Sequence, residues 1–188
     1  INVAAVSHRS PDSHMPVVFA STQYAYSPYT NAYGHSKRLM EDLLGAFPWS
    51  MNTPVWVLRF GTIYDQRGGR GVLNKALQHR LQLDDVEVPA PPFKVTKGAY
   101  RNFTHVEDVC AAIDVALSSP CDDPPEWAEV MARPVLVSDV IDRMGVLCEE
   151  VEAIDDWLPS GLSPRLPGWE PRHDVLKWAE TATWSAKQ

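Results

Sequence analysis

Tyr33 and Lys37 stand four residues apart in the pentapeptide Tyr33-Gly34-His35-Ser36-Lys37. On a helix that spacing puts both side chains on one face, so a phenol and an ammonium can meet the same bound ligand. A cation beside a phenol favours the phenolate and brings its titration down from about 10 towards neutrality. Such a phenol exchanges a proton with a substrate hydroxyl at physiological pH. Upstream, an apolar run ends in Ser21-Thr22, and the Thr22 hydroxyl at that strand end can hold the same substrate oxygen. Taken alone, Tyr-x-x-x-Lys is also a common surface pair on helices, and Thr22 alone reads equally as the cap of a loop. The surroundings of these residues must decide.

The elements that would position them follow from patterning. Met15-Pro16-Val17-Val18-Phe19-Ala20 is a continuous apolar run of the kind buried on both faces in a parallel sheet. Tyr24 to Asn31 follows as a loop. Ala32 to Phe47 reads as a helix with Leu39, Leu43 and Leu44 on one face, Thr30 or Asn31 near its cap and Pro48 at its end. Pro54 to Phe60 is a second buried strand. After Gly68-Gly69-Arg70-Gly71, Val72 to Leu83 reads as a helix and Val86 to Lys97 as short edge strands and turns. Val106 to Leu117 is a helix with Val109, Ile113, Ala116 and Leu117 on its apolar face. Ser118 to Pro125 is linker-like, and Val137 to Met144 and Val175 to Trp184 are two further helices. Strand and helix in alternation predict an α/β chain.

The 188 residues, 45% hydrophobic and 22% charged, suffice for one domain, or one and a small second lobe. Seventeen Lys and Arg against 24 Asp and Glu give a net charge of −7 with no basic run, which argues against nucleic acid or an anionic membrane as partner. No apolar stretch approaches the ~20 residues that span a bilayer. The apolar start, Ile1 to Val6, has no basic flank and soon meets Ser7-His8-Arg9, so it does not read as a signal peptide. Cys110, Cys121 and Cys148 are scattered and odd in number, and no His/Cys set has metal spacing. Reduced thiols, a cytoplasmic protein and no metal site are expected. An anionic ligand is compatible with the acidic balance, because arginine holds a diphosphate through a planar bidentate fork.

Four motifs occur in order: Ser21-Thr22 at a strand end, then Tyr33-x-x-x-Lys37, then Leu58-Arg59-Phe60-Gly61-Thr62-Ile63-Tyr64, then Arg101-Asn102-Phe103-Thr104-His105-Val106-Glu107-Asp108-Val109. Leu166-Pro167-Gly168-Trp169-Glu170-Pro171 precedes the last helix. In this order they resemble the extended short-chain dehydrogenase/reductase family along nearly the whole chain, and most of all its nucleotide-sugar epimerases and dehydratases. The resemblance implies a Rossmann-type doubly wound parallel sheet, present in part, with a small C-terminal substrate-binding lobe. Residues 1–65 would be the C-terminal part of the cofactor domain. Residues 66–188 would be mainly the substrate lobe, with helix 106–117 returning to the first domain. The resemblance further implies NAD or NADP as cofactor, a nucleotide sugar as substrate, and a homodimer formed through the Tyr33 helix and the helix after Leu73. Tyr33 would be the acid/base, Lys37 would bind the nicotinamide ribose, and Thr22 would complete a triad on the reacting oxygen. Phe60 would lie near the nicotinamide, Thr62 would contact substrate, and Arg101 would clamp the diphosphate. The implied reaction is transient hydride transfer, taken from the sugar and returned to it.

Each assignment has a structural rival. Phe60 suits a core as well as a cofactor wall, and Arg101 suits an ion pair. His105 reads as a packing and hydrogen-bonding residue, Glu107 and Asp108 as caps of the helix they open, and His35 as solvated. Trp169, Trp178 and Trp184 read as packing residues. The chain also departs from the family's pattern. No G-x-x-G-x-x-G follows a strand, the loop whose amides hold a pyrophosphate, so the chain is expected to be part of a longer protein or to have lost the cofactor. The passages Thr22 to Tyr33, Glu129 to Val135 and Ile154 to Trp169 are short for the family. Thr62 stands where Asn is frequent, Asp65-Gln66 where Gly-Pro is usual, and Gln23-Tyr24 where dehydratases carry Asp-Glu. Elimination of water needs an acid and a base at that point, so 4,6-dehydration is disfavoured. The alternatives to an epimerase-like enzyme are a cofactor-free pseudoenzyme or binding module of the same fold, and a reductase of a small-molecule ketone.

Overall fold

The computed structural model describes residues 3–4, 16–26, 32–46, 54–66, 71–84, 91–121, 124–152 and 164–182. In chain order they form β1 (Val3–Ala4), β2 (Val17–Thr22), a 3-10 turn (Gln23–Tyr26), α1 (Ala32–Ala46), β3 (Val55–Phe60), β4 (Thr62–Tyr64) and α2 (Val72–Asp84). There follow β5 (Phe93–Thr96), β6 (Tyr100–His105), α3 (Val106–Ser118), β7 (Glu126–Val130), β8 (Pro134–Leu136), α4 (Val137–Arg143), β9 (Cys148–Val151) and α5 (Val175–Thr181). The chain divides into two compact units. The first comprises Ile1–Gly61, Val109–Met131 and Trp157–Glu170, the second Thr62–Asp108, Ala132–Asp156 and Pro171–Gln188.

The sheet of the first unit has the order β1-β2-β3-β7. β2, β3 and β7 are parallel, with Val17↔Val55 to Thr22↔Phe60 and Trp56↔Glu126 to Phe60↔Val130 in register, and β1 adds antiparallel to β2. All six residues of β3 are buried, because a central parallel strand presents both faces to protein. Its alternate side chains serve different helices. Trp56, Leu58 and Phe60 join Val109, Ala112 and Ala116 of α3, with Leu166 and Trp169, in one apolar cluster. Arg59, of the other parity, turns to α1 and pairs with Glu41. Helices of opposite faces thus share one strand, the doubly wound Rossmann-type arrangement. Near the end of the unit, Gly168 takes φ 75°, a left-handed conformation that glycine adopts without a Cβ penalty. The resulting turn, closed by Trp169 N–H donating to Leu166 O at 3.2 Å, returns both Leu166 and Trp169 to the core.

In the second unit β4, β6 and β8 form a sheet in that order, β4 parallel and β8 antiparallel to β6, while β5 pairs in parallel with β9. Tyr64, Leu73, Leu77, Phe103, Ile141 and Met144 make its core with Val175 and Ala179 of α5.

Three differences from the patterning are instructive. Of the apolar face expected of α1, Leu39 and Leu43 point outward, 60% and 54% exposed, while Leu44 is half-buried, and the buried residues of the helix are Gly34 and Glu41. Hydrophobic spacing misjudged this helix because its inward contact is ionic. β4, β6, β7, β8 and β9 have no counterpart in the patterning, since they are short or carry polar residues such as Arg101, Glu126 and Glu149. The segment that rejoins the first unit also extends beyond helix 106–117, because β7 pairs with β3 and residues Pro164–Leu166 hydrogen-bond to β7 at Glu129. The expected cap at Thr30 or Asn31, and Trp184, lie outside the described residues.

Candidate active site

Tyr33 and Lys37 occupy the first turns of α1. Lys37 Nζ lies 5.8 Å from the Tyr33 ring centroid, so the two side chains are on the same side of the helix, and the Tyr33 phenol is exposed. Lys37 is tied to the sheet. Its Nζ donates to Ala20 O at 2.8 Å and stands 5.0 Å from the Phe19 ring centroid. The ammonium therefore rests on β2 two residues before Thr22. Thr22 is buried, its Oγ1 accepts the Tyr24 N–H at 3.3 Å, and its partner across the parallel pair is Phe60. Thr22 and Phe60 thus end neighbouring strands at the carboxyl edge of the sheet, the edge at which open α/β sheets bind ligands. Phe60 is buried within the apolar cluster.

Glu41, one turn beyond Lys37, enters the protein. Its side chain is 1% exposed and that of Arg59 6%. Arg59 Nη2 donates to Glu41 Oε2 at 2.6 Å, and its Nε lies 3.2 Å from both carboxylate oxygens. Ser21 Oγ donates to Oε1, and Tyr26 OH donates to Oε2 at 2.7 Å while receiving Arg59 Nη2 at 2.6 Å. The Arg59 guanidinium carbon is 4.2 Å from the Tyr26 ring centroid, and that of Arg38 is 4.0 Å. Burial, and then the bond to Glu41, push the Tyr26 phenol above its ordinary range. Sequence reasoning overlooked this cluster, although a signal exists. Arg59 interrupts an otherwise apolar strand, Val55-Trp56-Val57-Leu58-Arg59-Phe60, and a charge in such a strand requires a buried partner.

Thr62 and Arg101 belong to the second unit. Thr62 opens β4 opposite Phe103 of β6. Arg101, on β6, lines a cavity of about 150 Å³ with Lys94, Thr96, Val72, Val95, Ala99 and Val137, and its Nη1 donates to Tyr100 O at 2.7 Å. Lys94, a second cation on this cavity, was not singled out from the sequence. Two cations and a hydroxyl suit an anionic group.

Around the start of α3, the His105 ring stacks on His173 with centroids 4.1 Å apart and meets Tyr64 edge-on at 5.1 Å. His105 Nδ1 accepts the Glu107 N–H at 3.3 Å. Burial, and then His173, lower the His105 pKa. Asp108 reaches the segment before α5. Its Oδ1 accepts Arg172 N–H at 3.1 Å and faces His173 Nδ1 at 3.0 Å, and its Oδ2 accepts His173 N–H at 3.0 Å. Buried inside the first turn, the carboxylate takes the donors that the segment before α5 brings to it. Burial would raise its pKa, but these bonds outweigh that effect and leave it lowered. His105, Glu107 and His173 also offer ligand atoms within 4.8 Å of one another, a grouping invisible in sequence spacing. With His105 Nδ1 acting as acceptor, its proton sits on Nε2, and the group forms a hydrogen-bonded clasp instead of aiming two imidazole lone pairs at an ion.

A parallel sheet covered on both faces, with a lysine-bearing helix tied to its carboxyl end, defines a Rossmann-type α/β protein. Residues 4–128 match the NAD dependent epimerase/dehydratase family, and the chain belongs to it. No curated protein matches the chain. Among similar solved structures, RMD from Pseudomonas aeruginosa complexed with NADPH is 17% identical with a TM-score of 0.68, over 89% of this chain and 64% of that one. UDP-glucuronic acid 4-epimerase from Bacillus cereus, in complex with UDP-glucuronic acid and NAD, is 15% identical with a TM-score of 0.65, over 93% and 61%. dTDP-glucose 4,6-dehydratase from Bacillus anthracis, in complex with NAD, is 17% identical with a TM-score of 0.65, over 88% and 59%. The chain thus spans 59% to 64% of the length of these three proteins, and identities this low speak for the fold alone. No helix among the described residues is long and apolar enough to cross a membrane.

Proposed function

We propose that the chain is the catalytic and substrate-binding part of an NAD(P)-dependent, epimerase-like oxidoreductase that acts on a nucleotide sugar through transient hydride transfer. One observation carries this reading: Lys37 is held on Ala20 O beside an exposed Tyr33 phenol on the same helix face. An ammonium fixed in this way suits the hydroxyls of a nicotinamide ribose, and an exposed phenol leaves room for a sugar. The chemistry a bound nicotinamide would supply is reversible hydride transfer at the carbon bearing the sugar hydroxyl. Tyr33 takes the proton of that hydroxyl and gives it back, with the Lys37 ammonium beside its ring. Thr22 holds the reacting oxygen, and Phe60 stands at the cofactor end of its strand. Thr62 contacts the sugar, and Arg101 with Lys94 holds the diphosphate. Gln23-Tyr24 supply no acid–base pair for loss of water, which favours epimerisation over dehydration.

The test uses the full-length protein with NAD⁺ and either UDP-glucose or UDP-glucuronic acid. Tyr33→Phe should lower turnover at least about 100-fold, the scale of general acid–base catalysis, with unchanged circular dichroism and Tm. Undiminished turnover removes Tyr33 from its role.

The reading includes a homodimer through α1, supported by the outward Leu39 and Leu43. Replacing both by Glu should convert a sedimenting dimer to monomer, and a monomeric wild type at micromolar concentration would refute it. The free thiols Cys110, Cys121 and Cys148 support a reducing, cytoplasmic setting. Alkylation of all three in denatured, unreduced protein is the corresponding check.

A further inference from the structure

We propose that Glu41 and Arg59 are positioning residues, a buried pair that sets where Tyr33 and Lys37 stand relative to Thr22. The proposal rests on the reading of the site given above. The fully buried residues of α1 are Gly34 and Glu41, while Leu39 and Leu43 face away. Besides the half-buried Met40 and Leu44, whose apolar contacts tolerate sliding, the helix is therefore registered on the sheet by directional polar contacts.

Three elements converge on one carboxylate: Ser21 from β2, Tyr26 from the 3-10 turn and Arg59 from β3. Two of the three anchoring residues adjoin a site residue. Ser21 precedes Thr22, Arg59 precedes Phe60, and these four are cross-strand partners as Ser21↔Arg59 and Thr22↔Phe60. Glu41 lies one helical turn past Lys37 and two past Tyr33, on the same side of α1. Displacing the carboxylate would shift the helix against the ends of both strands at once, and misplacement of reacting groups by about 1 Å costs on the order of 100-fold in rate. Stability alone does not call for such a pair, because apolar residues of similar volume are often as good in a core. What the charges add is a single geometry.

In the full-length protein, the double variant Glu41→Met/Arg59→Met removes both charges, keeps the volume and leaves neither partner alone. The Ser21 and Tyr26 hydroxyls lose their acceptor, so its Tm should fall, while its circular dichroism spectrum stays that of the folded wild type. With UDP-glucose or UDP-glucuronic acid, its kcat should fall at least tenfold while KM stays within threefold, a split that separates positioning from loss of binding. The Kd for NAD⁺, read by calorimetry, should rise as Lys37 shifts. A folded double variant with kcat and NAD⁺ affinity within twofold of the wild type overturns the proposal. If the double variant does not fold, Arg59→Lys keeps the charge but removes the two-nitrogen fork on Glu41; an unchanged kcat there overturns it equally. Tyr33→Phe, run in parallel, distinguishes the failures. Its inactivity beside a fully active Glu41/Arg59 variant refutes only the positioning role. A wild type that binds neither NAD⁺ nor NADP⁺ and turns over neither sugar nucleotide with either refutes the site reading and this proposal together.

Discussion

Replacing Asp108 by Asn should destabilise the protein by about 2–4 kcal/mol at pH 7. The carboxylate accepts from Arg172 N–H and His173 N–H and faces the His173 ring nitrogen at 3.0 Å. An amide keeps one acceptor oxygen but turns its NH₂ towards a donor, leaving a buried N–H without an acceptor at a cost of about 1–3 kcal/mol. Loss of the charge weakens the bonds that remain by roughly half, on the order of another 1 kcal/mol. At roughly 2–4 °C per kcal/mol for a chain of this size, Tm should drop by about 5–15 °C. Urea unfolding followed by circular dichroism, with calorimetry, measures both quantities. The pH dependence gives a second reading. Asp108 has a lowered pKa in the fold, so the unfolded chain binds more protons in acid. The stability that ionised Asp108 contributes is present above the unfolded value near 3.8 and is lost as pH falls through the folded pKa. The gap between wild type and variant should therefore close below about pH 4. A difference below about 0.5 kcal/mol at pH 7, against the roughly 1 kcal/mol of even one ordinary hydrogen bond, or a gap unchanged from pH 7 to pH 3, would refute the reasoning.

Gln23→Met should raise stability by about 1–3 kcal/mol in the ligand-free protein, because both atoms of the Gln23 amide are buried without a partner and a side chain of similar shape removes that penalty; a lower Tm would mean that the amide is satisfied after all. Thiol titration with a chromogenic disulfide at pH 8 should show one fast equivalent, from exposed Cys110. Cys121 is buried, and burial, followed by its bond to Asp142, pushes the Cys148 thiol up to about 11. Two or more fast equivalents would contradict this assignment.

Regular elements with long apolar signatures were legible in the residues. β2, β3, α1, α2, α3 and α4 begin and end within a few residues of the patterning, because Val17-Val18-Phe19, Val55 to Leu58 and the periodic Val109, Ile113, Ala116 and Leu117 each have a single favourable burial. Short strands were not legible. β6 reads Tyr-Arg-Asn-Phe-Thr-His and β9 Cys-Glu-Glu-Val, and such strands exist only through partners distant in sequence. Tyr33, Lys37 and Thr22 were nameable as candidates because they stand within an ordered set of motifs that resembles the extended short-chain dehydrogenase/reductase family. Glu41 and Arg59, 18 residues apart, were not, since a pattern that scores apolar spacing treats an inward Glu as an outward one. The bonds of Asp108 to Arg172 and His173 were not legible either, because those donors lie more than 60 residues away.

The guanidinium near the end of β3 has a consequence for how the chain condenses. Arg59 cannot surrender its water while Glu41 is still outside, because a lone charge in an apolar strand is far costlier than a pair. Completion of the innermost strand and arrival of the preceding helix must then belong to one event, with the serine and tyrosine closing around them. Weakening any member of that quartet would loosen strand and helix together, as one cooperative unit, instead of fraying one and sparing the other.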